Sequence, residues 1–164
     1  MRKQLLPYVG IGVFAVAILV AAIVYIQRGA HLELRGSIQK VRTLATDDSS
    51  AVAVIDFRFV NPSDYRFVVR KVEVSLEDKQ GRVLEGAVAS EVDAKRLFEA
   101  YPVLGQKYNE TLLMRTKVGP RESMDRMVAA RFEIPEKLLQ ERKQLRIRVE
   151  DVDGAVSEIL EGER

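Results

Sequence analysis

Side chains that commonly carry catalysis are scarce in this sequence. Its 164 residues include one histidine, His31, and no cysteine. Histidine-based triads, thiol nucleophiles and cysteine-ligated zinc therefore lack the groups that they require. His31 follows a long apolar segment, a position typical of a residue at a membrane interface. The sequence predicts a protein that is not an enzyme, with no catalytic, cofactor-binding or metal-binding residues.

Acidic side chains are numerous, but their spacing is typical of a solvated surface. Most of the 24 Asp and Glu residues alternate with Lys or Arg along strand-like segments. Residues 150–154, EDVDG, contain a fragment of a calcium loop, but an EF-hand needs a third early ligand and a later Glu at fixed spacing. A hairpin turn at Asp153–Gly154 explains the same residues. Asn109 opens a glycosylation sequon, which matters only in a eukaryotic secretory pathway.

The distribution of charge argues against nucleic acid as a partner. Three of the 26 basic residues and none of the 24 acidic ones lie in residues 1–30, which leaves 23 basic and 24 acidic side chains in the remainder. A nucleic-acid-binding domain needs a basic excess, because neutralising phosphates supplies much of its affinity. The remainder of this chain has no such excess.

Residues 5–26 form an uncharged apolar run of 22 residues, which predicts a transmembrane helix. At about 1.5 Å per residue the helix would measure roughly 33 Å, close to the ~30 Å hydrocarbon core of a bilayer. The predicted interface residues on either side are Arg2, Lys3, Tyr8, Tyr25 and Arg28. The lipid bilayer is therefore a predicted partner through residues 5–26.

A cleaved signal peptide and a buried core helix are the competing interpretations of this run. Signal peptides usually have an apolar stretch of about 7–15 residues and a small-residue cleavage site. Here the stretch is longer, and Arg28 stands near its exit. Arg2 and Lys3 favour a cytoplasmic N-terminus. Basic residues after the run weaken this bias, but a long C-terminal domain translocates largely regardless of charge, so we expect that domain to be extracytoplasmic.

After the anchor, the hydrophobic period changes to two, which indicates β-strands. Residues 51–60, AVAVIDFRFV, read as a half-buried strand with Asp56 and Arg58 on its polar face. A phase slip at residues 39–40 indicates a bulge or a strand end. The other strand-like segments are residues 31–38, 66–78, 82–89, 111–118, 123–134, 145–152 and 155–160. Two short helices are expected, one capped by Asp93 with Leu97, Phe98 and Tyr101 buried, and one starting at Pro135.

Asn61 and Pro62 interrupt two strand-like segments. Proline fixes φ and removes a backbone donor, so the strand must end at Val60. The Asn side chain can bond to nearby backbone groups, as it does in turns. Asn61 and Pro62 are therefore predicted to form a structural corner between two strands.

Seven or eight short strands predict a mainly β fold, an immunoglobulin/fibronectin-like antiparallel β-sandwich of about seven strands with one or two short helices. A single transmembrane helix precedes it in this prediction. The expected domains are residues 1–30, an N-terminal anchor with a basic flank, and residues 31–164, the β-sandwich.

The Asn-Pro pair and the Val-rich strand after it, VRKVEVSLED, resemble the water-stress and hypersensitive-response (WHy) domain of the group 2 late embryogenesis abundant proteins. Asn61 and Pro62 match the Asn-Pro that follows the second strand in that family, and residues 119–135 fit its turn and long strand. Residues 76–86, LEDKQGRVLEG, look like the strand–turn–strand of FxLYD-type extracytoplasmic domains, although the aromatic signature is absent. Both resemblances imply a β-sandwich without known catalysis, and the first implies protection under water stress.

The sequence therefore favours a single-pass membrane-anchored, non-enzymatic β-sandwich that acts as a binding or protective module. The alternative is a structural accessory subunit of a larger membrane complex. Both hypotheses imply a protein partner whose identity the sequence does not give.

Overall fold

The computed structural model describes residues 16–21 and 33–162 of the chain. Contacts divide the chain into two units, Met1–His31 and Leu32–Arg164. In the first unit, residues 16–21 are helical and their side chains are exposed. Within residues 16–21 and 33–162, no helix has both the length and the apolar character needed to cross a bilayer. The rest of the predicted anchor, its flanking residues and His31 lie outside the described residues.

The second unit is built mainly of β-strands. Its eight strands are β1 (Arg35–Asp47), β2 (Ser50–Val60), β3 (Phe67–Glu77), β4 (Val83–Val88), β5 (Lys117–Val118), β6 (Ser123–Phe132), β7 (Gln144–Asp151) and β8 (Val156–Leu160). Two helices, α1 (Glu91–Ala100) and α2 (Glu136–Gln140), and a 3₁₀ helix at Pro102–Leu104 connect them. All the pairs between these eight strands are antiparallel.

The strands follow the hydrogen-bonded order β1-β2-β6-β4-β3-β7-β8, with β5 added to β3. β4 connects the two halves, because residues 83–86 pair with β3 and residues 87–88 pair with β6. Gly86 lies at this crossing, where a Cβ atom would stand 2.7 Å from the Phe132 ring. The strands therefore form two layers, β1-β2-β6 and β3-β7-β8. The prediction of a mainly β, antiparallel sandwich with short helices is confirmed.

The two layers enclose the main hydrophobic core. Phe57 and Phe59 of β2 stack with ring centroids 5.6 Å apart. They belong to the same buried cluster as Leu76 of β3 and Ile147 of β7. The alternation in β2 and β7 therefore directs one face of each strand into a shared core, as period-two patterns require.

A second core lies on the outer face of the first layer. Val52, Val54, Met127 and Ala129 pack there beneath Ala94 of α1. β2 is therefore buried on both faces rather than half-buried, and the expectation that Asp56 lies on a solvated face is wrong: it is 4% exposed. The physical reason is that α1 and the segment after it cover the face that alternation alone assigns to water.

Three further expectations are corrected or resolved. Residues 111–118 are not one strand, because only Lys117–Val118 pairs as β5 and Arg115 has a φ of 67°. Ser90, and not Asp93, caps α1, since its side chain accepts a hydrogen bond from the Asp93 N–H. The phase slip at residues 39–40 is a bulge within β1, which continues to Asp47.

Candidate functional site

The Asp-Gly segment at residues 150–154 forms the turn between β7 and β8. Asp151 is fully buried, and its two carboxylate oxygens accept backbone N–H groups, from Val68 at 2.6 Å and from Asp153 at 3.1 Å. One oxygen therefore stabilises the turn, and the other joins the turn to β3. Among the residues that the structure describes, no group of three His, Asp or Glu side chains is placed to hold a metal ion.

Asn61 lies at the point where the chain passes from the first layer to the second. Its side chain is fully buried, and its Nδ2 donates to the carbonyls of Tyr65 at 2.7 Å and Gly119 at 3.0 Å. Its Oδ1 accepts from the backbone and hydroxyl of Ser63. Pro62 follows directly and is partly exposed. Asn61 thus ties residues 61–66 to the turn before β6.

A buried polar cluster lies between the first layer and the segment after α1. Arg42 of β1 donates to Asp56 Oδ2 at 2.6 Å, and Asn109 Nδ2 donates to Asp56 Oδ1 at 2.8 Å. The side chains of Arg42 and Asp56 are only 10% and 6% exposed. The Arg42 guanidinium also stands over the Phe98 ring at 5.1 Å and the Tyr108 ring at 5.5 Å. Asp56 therefore keeps its charge compensated although it is buried.

This cluster holds residues 101–109, which we call the braced segment. Arg42 Nη1 donates to the carbonyls of Leu104 and Gln106, each at 2.8 Å. Lys107 Nζ donates to Glu91 Oε1 at 2.5 Å, and this ammonium lowers the pKa of the Glu91 carboxyl. The backbone of the braced segment is therefore fixed to β1, to α1 and, through Asn109, to β2.

The braced segment exposes apolar side chains. Val103 is 81% exposed and Tyr108 is 64% exposed. Lys40 Nζ lies 5.5 Å from the Tyr108 ring centroid. An open depression beside them is lined by Phe98, Gly105, Gln106 and nearby side chains. The arrangement offers an apolar and aromatic surface with basic neighbours, and such a surface is suited to binding rather than to bond making.

No pattern in the sequence directly predicts the braced segment. Alternation places Asp56 on a polar face, and Asn109 stands out in the sequence only as the first residue of a glycosylation sequon. Here the Asn109 amide nitrogen, the atom that a glycan would modify, is a donor within the cluster. The signal that could have identified the cluster is the single acid among the apolar residues 51–57, since an isolated charge in a buried strand needs a partner.

The outer face of the second layer differs from this site. A groove of about 320 Å³ lies there between β4 and β7, lined by charged side chains of both signs. Arg148 and Glu73 stand 3.7 Å apart, as do Arg146 and Glu158. The two charges within each pair largely neutralise each other, and both pairs are open to water. The groove therefore has little net charge with which to bind a charged ligand.

Comparisons with known proteins identify no family. The sequence matches no protein-family model and no curated protein. Three solved structures show a distant likeness. The archaellum periplasmic stator protein complex FlaF and FlaG from Sulfolobus acidocaldarius is 12% identical, with a TM-score of 0.33 over 76% of this chain and 86% of that one. FlaG from the same organism is also 12% identical, with a TM-score of 0.34 over 77% and 98% of the two chains.

The third likeness is to an uncharacterized β-sandwich protein from Clostridium difficile 630. It is 10% identical to this chain, with a TM-score of 0.39 over 78% of this chain and 85% of that one. Likenesses this distant carry no argument about function. The function must therefore be inferred from the chain's own surface.

Proposed function

We propose that the chain is a single-pass membrane-anchored β-sandwich that binds a protein partner and catalyses no reaction. The braced segment carries the proposal. Its exposed Val103 and Tyr108 stand on a backbone that Arg42 already fixes. Binding to an ordered surface loses less conformational entropy than binding to a mobile loop. Tyr is also enriched among the residues that dominate binding energy at interfaces.

The membrane anchor of the proposal rests on residues 5–26. The described part of this run, residues 16–21, is helical, and every one of its side chains is apolar and exposed. Helices that are apolar all round occur in membranes or in protein cores. If the run anchors the chain, alkaline carbonate will leave the full-length protein in the membrane pellet, and deletion of residues 5–26 will release it. Release of both forms would contradict the anchor.

The sandwich is proposed to be of the immunoglobulin/fibronectin-like class and to lie outside the cytoplasm. The strand order supports the class, because β1-β2-β6-β4 and β3-β7-β8 correspond to the ABED and CFG sheets of that fold. Arg2 and Lys3 support the orientation, since basic residues before an anchor favour a cytoplasmic N-terminus.

The alternative proposal is that the chain is a structural accessory subunit of a larger membrane complex. Extraction in a mild detergent followed by sizing separates the two: a stoichiometric partner supports the subunit, and a lone monomer supports the stand-alone module. The resemblance to the WHy domain adds the proposal of a protective role. Protection of a test enzyme during drying would support that role.

Site-specific crosslinking tests the binding surface. We expect a photoreactive residue at Tyr108 in the full-length chain to give one discrete adduct in cells. The matched control is a photoreactive residue at Lys79, in the β3–β4 turn, which has a similarly exposed side chain. Equal adducts from both positions, or none from Tyr108, would contradict the proposed surface.

A further inference from the structure

Three loops meet at one end of the sandwich, and we call residues 61–66, 112–122 and 152–155 the loop end. The first residues of β3 hold them together. The backbone N–H of Arg115 donates to Val69 O at 2.6 Å, and that of Val152 donates to Val68 O at 3.0 Å. Asn61 joins the first loop to the second through Gly119. The loop end is therefore one surface assembled from three parts of the chain.

The tips of these loops expose apolar side chains. Tyr65 is 65% exposed, Leu113 43%, Met114 70% and Val152 52%. Leu113 and Met114 lie in a tight turn, in which the Thr116 N–H donates to Leu113 O. Apolar tips on short turns can enter the headgroup region of a bilayer without unfolding the strands behind them.

Two arginines at the loop end adopt a backbone conformation that favours glycine. Arg115 has a φ of 67° and Arg121 a φ of 58°. Within residues 16–21 and 33–162 they are the only non-glycine residues with positive φ. Glycine would adopt this conformation without strain. Strained residues that persist are concentrated at functional sites, and both of these arginines lie on the loop end.

The charge of the loop end favours an anionic surface. Arg66, Arg115 and Lys117 are exposed and take part in none of the ion pairs found among the described residues. Of the three acids of the loop end, Asp64 pairs with Arg121 at 2.9 Å, whereas Glu122, which accepts the Gly119 N–H, and Asp153 are exposed. Four basic and three acidic side chains leave the loop end a net charge of +1.

The course of the chain indicates which anionic surface is within reach. β1 begins with Arg35 opposite Val60, the residue just before the loop end. Residues 27–34 separate this point from the apolar run, and eight extended residues reach at most about 28 Å. A bilayer that holds residues 5–26 is thus within reach of the loop end. We propose that the loop end binds anionic lipid headgroups, with Met114 and its apolar neighbours inserted between them. This inference rests on the membrane anchor of the proposed function.

The absence of cysteine makes a site-specific test direct. The full-length chain is placed in nanodiscs of phosphatidylcholine, alone or with phosphatidylglycerol, and labelled with an environment-sensitive fluorophore at Met114→Cys. Val103→Cys is the matched control, because Val103 is at least as exposed but lies on the braced segment. We expect a blue-shifted emission, quenched by spin-labelled lipid, at position 114 in anionic discs and aqueous emission at position 103. Equal aqueous emission at both positions would overturn the proposal.

Incorporation of the chain into the discs tests the membrane anchor separately from the loop end. A chain that enters the discs but shows aqueous emission at position 114 overturns the loop-end proposal alone. If the chain does not enter the discs, the proposed membrane anchor is contradicted, and so is the loop-end proposal that rests on it.

A charge variant provides a second test that unfolding cannot imitate. Arg115→Gly relieves the positive φ, so we expect its melting temperature to be unchanged or higher. In the same variant, the emission of the fluorophore at position 114 should no longer differ between anionic and neutral discs. Arg96→Gln, on the exposed side of α1, is the control and should keep that difference. A retained difference in Arg115→Gly would contradict the role of the arginine.

Discussion

The two outer faces of the sandwich differ in what covers them. The face of β1-β2-β6 lies beneath α1 and the braced segment, which bury Val52, Val54 and the ion pair of Arg42 with Asp56. No such cover lies on the face of β3-β7-β8 in the described part of the chain, and that face carries exposed ion pairs such as Glu73 with Arg148. The same period-two alternation therefore gives a second core on one layer and a solvated surface on the other.

The largest effect is expected where both layers share a core. Phe57 is 1% exposed, so Phe57→Ala should leave a cavity and lower the free energy of unfolding by about 4 kcal/mol. Its neighbour Arg58 forms an exposed pair with Asp125, and Arg58→Ala should lower it by less than about 1 kcal/mol. Urea unfolding of residues 31–164 measures both variants. Similar losses would mean that the inward and outward sides of β2 are misassigned.

The ion pairs of the two faces give the sharpest contrast. Asp56→Ala leaves Arg42 buried without its partner, which should lower the free energy of unfolding by about 3 kcal/mol. Glu73→Ala removes an exposed partner of Arg148 and should lower it by less than about 1 kcal/mol. The same unfolding experiment checks both. A small loss for Asp56→Ala would remove the energetic difference between the covered and uncovered faces.

Sequence patterns predicted the strands and their inward residues better than they predicted the covered face. The alternation in residues 51–60 assigned Phe57 and Phe59 correctly, because side-chain direction in a strand is local. Burial of Asp56 depends on Arg42 and on Asn109 of the braced segment, which lies more than fifty residues later in the chain. The prediction of one strand at residues 111–118 is wrong because Arg115 adopts a positive φ, which no local propensity favours. The braced segment depends on contacts that sequence spacing does not encode.

The corner between the layers should show an intermediate effect. Asn61→Ala removes a buried side chain that donates to the carbonyls of Tyr65 and Gly119, which should lower the free energy of unfolding by about 2 kcal/mol. Pro62→Ala should lower it by about 0.4–1 kcal/mol, because it relaxes the unfolded chain. Thermal melts of the two variants measure the order. A larger loss for Pro62→Ala would show that chain stiffness, and not the Asn61 bonds, holds the corner.

The smallest effect concerns the turn between β1 and β2. Hydrogen bonds from Ser50 and Ser49 lower the pKa of Asp47 from 3.8 to about 2. The folded state therefore favours the charged carboxylate, and its contribution is present above about pH 4 and lost as the pH falls toward 2. Asp47→Asn should lower the melting temperature at pH 7, and the difference should vanish near pH 2. A difference that persists at pH 2 would contradict this assignment.

Labelling from outside the cell tests whether the sandwich is held at the membrane and faces away from the cytoplasm. Lys79→Cys places a single thiol on the exposed β3–β4 turn of the otherwise cysteine-free full-length chain. We expect a membrane-impermeant maleimide to modify this thiol in intact cells or spheroplasts to the same extent as after lysis. Modification that occurs only after the membrane is broken would contradict it.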